Sequence, residues 1–158
     1  MDFDVNKAIQ YFQNVVTEHY TDFQGRVARS DFWTYVAIYL GIAILAAVIQ
    51  SVVGLALMAL VQLALLLPTA GITARRLQDT GQNGSLVWML MVPLLISSLV
   101  TFLTAMTFRA VVLLLPLLSI MWLITLISLG AAVYLIYLCL QPGTPGTNQY
   151  GPEPAMAV

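Results

Sequence analysis

Apolar and polar positions along this chain follow a helical period at the start and then give way to two long uncharged stretches. Between residues 3 and 23 the apolar side chains fall at Val5, Ala8, Ile9, Phe12, Val15, Val16, Tyr20 and Phe23, with His19 on the same stripe. Spacings of three and four mark one face of a helix, and Lys7, Gln13, Asn14 and Glu18 fall mainly between them. Such an amphipathic helix either lies along a membrane surface or packs its stripe onto the end of the protein's own bundle. The run from Gln24 to Arg29 breaks the pattern. Ser30 is then the expected N-cap of the next helix, with Asp31 in the first turn, where a carboxylate complements the helix dipole.

From Phe32 to Ala74 there is no charged residue. As one helix this stretch would run about 64 Å, twice the ~30 Å hydrocarbon core of a bilayer. It must double back, and Gln50, Ser51 and Gly54 offer the turn, giving spans near 33–52 and 55–74. The polar segment Arg75 to Ser85 carries the turn signals Asp-Thr-Gly and Asn-Gly, and Ser85 is placed to cap the helix that follows. Leu86 to Leu140 is again too long for one crossing and is divided by Arg109, giving spans near 86–107 and 115–138. Trp33 and Trp88 begin spans as interfacial anchors and Tyr134 and Tyr137 end one, while Trp122 lies deeper and is expected to pack. The pattern predicts an all-α, polytopic transmembrane helical bundle of four spans preceded by an N-terminal amphipathic helix. Its parts are a lead-in at 1–29, a transmembrane domain at 30–140 and a Pro/Gly-rich tail at 141–158.

Composition makes lipid the solvent for most of the chain. Of 158 residues, 60% are hydrophobic and 8% charged, against roughly a quarter charged in soluble domains. The net charge of −1 carries no nucleic-acid footprint. Some 30 polar and mixed residues precede the first apolar run, so no signal peptide is expected. Four spans place Lys7, Arg26, Arg29, Arg75 and Arg76 on one side of the membrane and Arg109 on the other, which orients the first group and both termini toward the cytoplasm. Cys139, the single cysteine, permits neither an intramolecular disulfide nor a thiolate cluster and reads as a small packed residue.

Polar chemistry is confined to three patches: GRVARSDFW at 25–33, RRLQDTG at 75–81 and PGTPGTNQYGPEP at 142–154. The four-span topology gathers all three on one membrane face. Together they resemble a family of small bacterial inner-membrane proteins, DUF805, which has no known function. The family pattern F-x-G-R-x-x-R-x-x-F/Y-W corresponds to Phe23 to Trp33, R-R-L-H-D-T to Arg75 to Thr80, and P-G-T-x-G-x-N-x-Y/F-G-P-D/E-P to Pro142 to Pro154. Two departures stand out. Gln78 replaces the usual histidine, and the S-G-W-W that often follows is reduced to Asn83, Gly84, Ser85 and Leu86. The resemblance implies a bacterial inner-membrane location and a tail in which Asn148, Tyr150 and Gly151 form a turn docked on the arginine patch.

The candidate site is therefore Arg26, Arg29, Asp31, Arg75, Arg76 and Asp79, for which two compatible readings stand. One is an intramolecular arginine–aspartate staple between the lead-in and the loop after span two. The other is an anion site for a lipid phosphate or an acidic partner segment, since guanidinium forks fit phosphate bidentately. No catalytic motif, paired in-span carboxylate or metal-ligand spacing is present in the sequence, and His19 reads as a packed or interfacial side chain. A non-enzymatic scaffold or accessory protein is expected, with no cofactor and no catalytic residues. Its partners are the bilayer, an anionic phospholipid or another membrane protein, and a homo-oligomer is compatible with the pattern. The alternative is a small oligomeric transporter or channel for a weakly polar solute, lined by Ser97, Thr101 and Thr104, with Ser98 beside them.

Overall fold

The computed structural model describes residues 4–53, 57–106 and 111–155, and the side chains of 104–106 and 111–119 are not described. Gly54 and Arg109 from the sequence reading lie outside these residues, as does the side chain of Thr104. Five α-helices follow one another: α1 (Val5–Thr17), α2 (Arg29–Val53), α3 (Leu57–Asp79), α4 (Trp88–Met106) and α5 (Val111–Leu140). A short 3₁₀ turn, Gly84–Val87, leads into α4. The last four helices are each long and apolar enough to cross a membrane, and among the described residues there is no β-strand.

Helix ends differ from the expected ones for identifiable reasons. Gln50 and Ser51 do not break α2. The Ser51 hydroxyl donates back to the Val48 carbonyl (2.7 Å), and Gln50 reaches forward so that its Oε1 accepts the Met58 backbone N–H (2.9 Å), an otherwise unpaired donor in the first turn of α3. Ser30 is not a cap either. The helix already begins at Arg29, the Phe32 N–H bonds the Ala28 carbonyl, and Ser30 donates to its neighbour Asp31. Asn83, not Ser85, caps the turn before α4, its Oδ1 accepting the Ser85 N–H (2.9 Å). Arg75 to Asp79 continue α3 instead of starting a loop, because their side chains find partners across the end of the bundle.

Helix α3 is the central element. It packs mainly against α2 and α4 and also touches α1 and α5, whereas among the described residues α2 and α5 make no extended contact with each other. Its C-terminal half, Ala70 through Asp79, is buried throughout. The small residues Ala70, Gly71 and Ala74 let neighbouring backbone come close, as in other membrane interfaces. A Cβ on Gly71 would lie 2.6 Å from the Asp22 carbonyl oxygen, so glycine is what allows the lead-in to lie on α3. The core gathers at this end of the bundle, from Phe32 and Tyr35 of α2, Ile72 and Leu77 of α3, Met91 of α4 and Leu135 and Cys139 of α5. Cys139 is fully buried, as its packing role requires.

The lead-in packs on the bundle with part of its stripe. Asp4 caps α1 through the Asn6 N–H (2.9 Å), Ala8 and Val15 are buried, and the Phe12 ring stacks on Tyr35 at 5.0 Å. Val5 and Ile9 stay exposed. Further on, Phe23 stacks on Trp88 at 5.8 Å. Tyr20 repairs a defect in α3. Pro68 has no N–H and leaves the Ala64 carbonyl without its helical donor, and the Tyr20 hydroxyl donates to that carbonyl at 2.6 Å. Trp122 does not pack as expected. It is 70% exposed, because α5 is apolar on every side and lipid is as good an environment for that ring as a neighbouring helix.

Candidate functional site

Where α3 ends, Asp79 joins three segments that are far apart in sequence. Its Oδ1 accepts from Nε of Arg26 at 2.8 Å and lies 2.8 Å from Nη2 of the same guanidinium, and its Oδ2 pairs with Nη1 of Arg76. Its backbone carbonyl accepts the Thr144 N–H at 2.8 Å and the Thr144 hydroxyl at 3.0 Å. The two guanidinium groups and the carboxylate are almost wholly buried, with side-chain exposures of 1%, 0% and 4% for Arg26, Arg76 and Asp79.

One carboxylate cannot balance two arginines, and backbone carbonyls supply the rest. Arg26 donates to the carbonyls of Thr144, Gly146 and Gly151. Arg76 donates through Nε to Cys139 (3.1 Å) and through Nη2 to Gln141. Cys139 lies in the last turn of α5, where carbonyls have no helical partner and the dipole is negative. Arg76 thus closes the end of α5 as well as that of α3. Buried charges are tolerable only when paired and hydrogen-bonded in this way.

The tail folds into a turn over this centre. The Asn148 side chain accepts the Tyr150 N–H (2.8 Å), the backbones of Asn148 and Gly151 pair at 3.0 and 3.1 Å, and Glu153 accepts the Gly146 N–H at 2.8 Å. Nδ2 of Asn148 donates to the Gln78 carbonyl (3.0 Å) and to the Thr144 hydroxyl (2.8 Å), which fixes the turn on the end of α3. Gly143 passes so close to the Asp79 carboxylate that a Cβ there would overlap it. The docked turn implied by the motif is thus present, and the three patches meet at one end of the bundle.

The other candidate residues have different surroundings. Arg75 is buried but turns away from Asp79. Its Nη1 lies 3.6 Å from Asp22, and its Nε and Nη2 have no hydrogen-bond partner among the described residues. Asp31 is buried on the α1 side, where it accepts from Ser30 and lies near Tyr11. Burial, reinforced by Asp31, pushes the Tyr11 phenol up to about 12, so it stays neutral. The expected staple is therefore narrower than the sequence suggested: Arg26, Arg76 and Asp79 form it, while Asp31 and Arg75 belong to the seam under the lead-in.

Gln78, in the place of the usual histidine, donates from Nε2 to the Phe23 carbonyl (3.0 Å), and its Oε1 is buried without a partner among the described residues. Asp22, Gly143 and Thr144 were not singled out beforehand. For the last two, their position in the PGT motif was the available signal. Asp22 also pairs with His19 at 3.3 Å. Among the described residues no group of His, Cys, Asp and Glu is placed to hold a metal ion.

Arg29 is the exception. It is exposed and, with Arg26, Arg76, Asp79 and Glu153, borders a cavity of about 170 Å³ at this end of the bundle. Among the described residues no carboxylate pairs with it. In the spans, by contrast, the described hydroxyls of Ser97, Ser98 and Thr101 all have hydrogen-bond partners. Ser97 donates to Leu94 and Thr101 to Ser97 within α4, and Ser98 donates to Gln62 of α3 at 2.9 Å.

Fold and site together define a multi-pass α-helical membrane protein closed at one end by a buried arginine–aspartate–tail knot. The family described as "Protein of unknown function (DUF805)" matches residues 20–152, and the chain belongs to it. It is similar to the uncharacterized protein YiiR of Escherichia coli K12, at 30% identity over 134 residues, covering 83% of this chain and 84% of YiiR. The YiiR of Escherichia coli O157:H7 matches equally. No solved structure matches the chain.

Proposed function

We propose that the protein is a non-enzymatic scaffold or accessory subunit of the bacterial inner membrane. Both termini lie in the cytoplasm, and the arginine-rich face captures a negatively charged group of a partner protein or an anionic lipid. The unequal use of the arginines carries this reading. Arg26 and Arg76 direct their donors inward to Asp79 and the tail, which makes them structural. Arg29 is exposed at the cavity they border. An open guanidinium beside a rigid, hydrogen-bonded wall suits a phosphate or carboxylate. Glu153 on the same cavity already accepts the Gly146 N–H. The orientation rests on the distribution of basic residues.

The test is native mass spectrometry of the protein extracted gently from its own membrane, comparing wild type with Arg29→Gln. An anionic lipid or protein retained by wild type and lost from a variant of unchanged thermal stability is the expected result. Equal retention by a well-folded variant would overturn the reading. Arg76→Gln is not a suitable probe, because it would unfasten α3 from α5.

A further inference from the structure

The surface that continues from Arg29 into the membrane has a defined shape. Arg29, Phe32, Trp33 and Val36 follow the spacing i, i+3, i+4, i+7 and so share one face of α2. Directly inward of Arg29, Phe32, Trp33 and Val36 form one wall of a second cavity, of about 160 Å³. Ala132, Leu135, Ile136 and Cys139 of α5 form the opposite wall, and Thr69, Thr73, Leu90 and Met91 line the rest. This space exists because α2 and α5 make no extended contact. The two cavities adjoin through one bond. Arg76 borders the outer one and donates to the carbonyl of Cys139, which borders the inner one. Trp33 lines this inner cavity, and its indole N–H is enclosed within the protein.

From outside inward, a ligand here would meet an exposed cation and then an almost wholly apolar groove. That is the order of a phospholipid: phosphate, then acyl chain. We infer that the α2–α5 cleft is a site for one anionic phospholipid, with its phosphate on Arg29 and an acyl chain between Val36 and Ala132. The inference rests on the anion-capturing face proposed above and names its ligand. An apolar cavity of about 150 Å³ accepts a benzene-sized group, so the groove takes a stretch of one chain. A phospholipid carries both the anionic and the apolar end that these surfaces suit, and α2 and α5 leave the groove open toward the bilayer.

The full chain is to be placed in bilayer discs of equimolar phosphatidylglycerol and phosphatidylcholine and released for native mass spectrometry. Wild type is expected to keep one phosphatidylglycerol in preference to phosphatidylcholine. Arg29→Gln should lower that retention about tenfold, the loss of one charge-assisted contact. Ala132→Trp, which fills the groove without touching Arg29, should lower it similarly. Loss in Arg29→Gln but not in Ala132→Trp would overturn the groove and leave the charged face standing. No preference in wild type would overturn the lipid site, and the face would then depend on protein capture alone. Should Ala132→Trp not fold, phosphatidylglycerol with brominated chains provides a second measurement in the Trp88→Phe/Trp122→Phe chain. It should quench Trp33 more strongly than brominated phosphatidylcholine, and equal quenching would overturn the inference.

Discussion

The bond from Tyr20 to Ala64 allows a sharp test of how the lead-in is held. Pro68 removes the helical donor of the Ala64 carbonyl, and Tyr20 replaces it at 2.6 Å, within the range of a good O–H···O bond. Ala64 is exposed on a helix apolar enough to span a membrane, so in lipid no water stands ready to take over. Tyr20→Phe keeps the ring and deletes only the hydroxyl. Hydrogen bonds between membrane helices average about 0.6 kcal/mol and reach about 1.7. This carbonyl has lost its own donor, so a loss of about 1 to 1.5 kcal/mol is expected. Pro68→Ala restores a backbone N–H four residues along. In that background Tyr20→Phe should cost less than half as much. Equilibrium unfolding in mixed micelles, followed by helicity, gives the four stabilities and their coupling. An equal loss in both backgrounds would refute the argument, since the hydroxyl would then not be standing in for the missing amide.

The knot yields two further predictions. Asp79→Asn removes the carboxylate that pairs with two guanidiniums that are 1% and 0% exposed, so thermal unfolding should show a loss of about 3 kcal/mol or more. Limited proteolysis should also cut the variant within residues 141–155 faster than wild type, and unchanged protection of the tail would contradict its tethering through this carboxylate. Gly143→Ala forces a methyl group into the Asp79 carboxylate and should destabilise by about 1 to 3 kcal/mol, again with earlier cleavage of the tail. A fully stable Gly143→Ala protein would mean that the backbone there moves freely.

The four apolar helices were legible because hydrocarbon thickness and the absence of charge dictate their number. Their ends were not, because side chains settle them from a distance. Gln50 looks like a turn residue, and only the position of Met58 shows that it caps the next helix instead. Arg75 and Arg76 look alike in sequence, yet successive helical positions point about 100° apart. One faces Asp22 under the lead-in and the other faces Asp79 and the end of α5. The convergence of the three patches followed from topology alone. Which arginine stays open did not, because it depends on where the tail places its carbonyls. Trp122 shows the limit of an argument from depth, since a helix apolar all round gives no sign of which side meets its neighbours.

The knot also has a history in time. Arg26 reaches Gly146 across 120 residues of chain, and at 5 to 20 residues per second the partner is made about 6 to 24 seconds after the arginine. While the spans are being inserted, Arg26 and Arg76 therefore stand without the tail. They then have Asp79 but not yet the tail carbonyls to satisfy their donors. Once the tail arrives they disappear into its carbonyls. The same two side chains are thus cations awaiting the tail while the spans are made, and its fastening once it arrives.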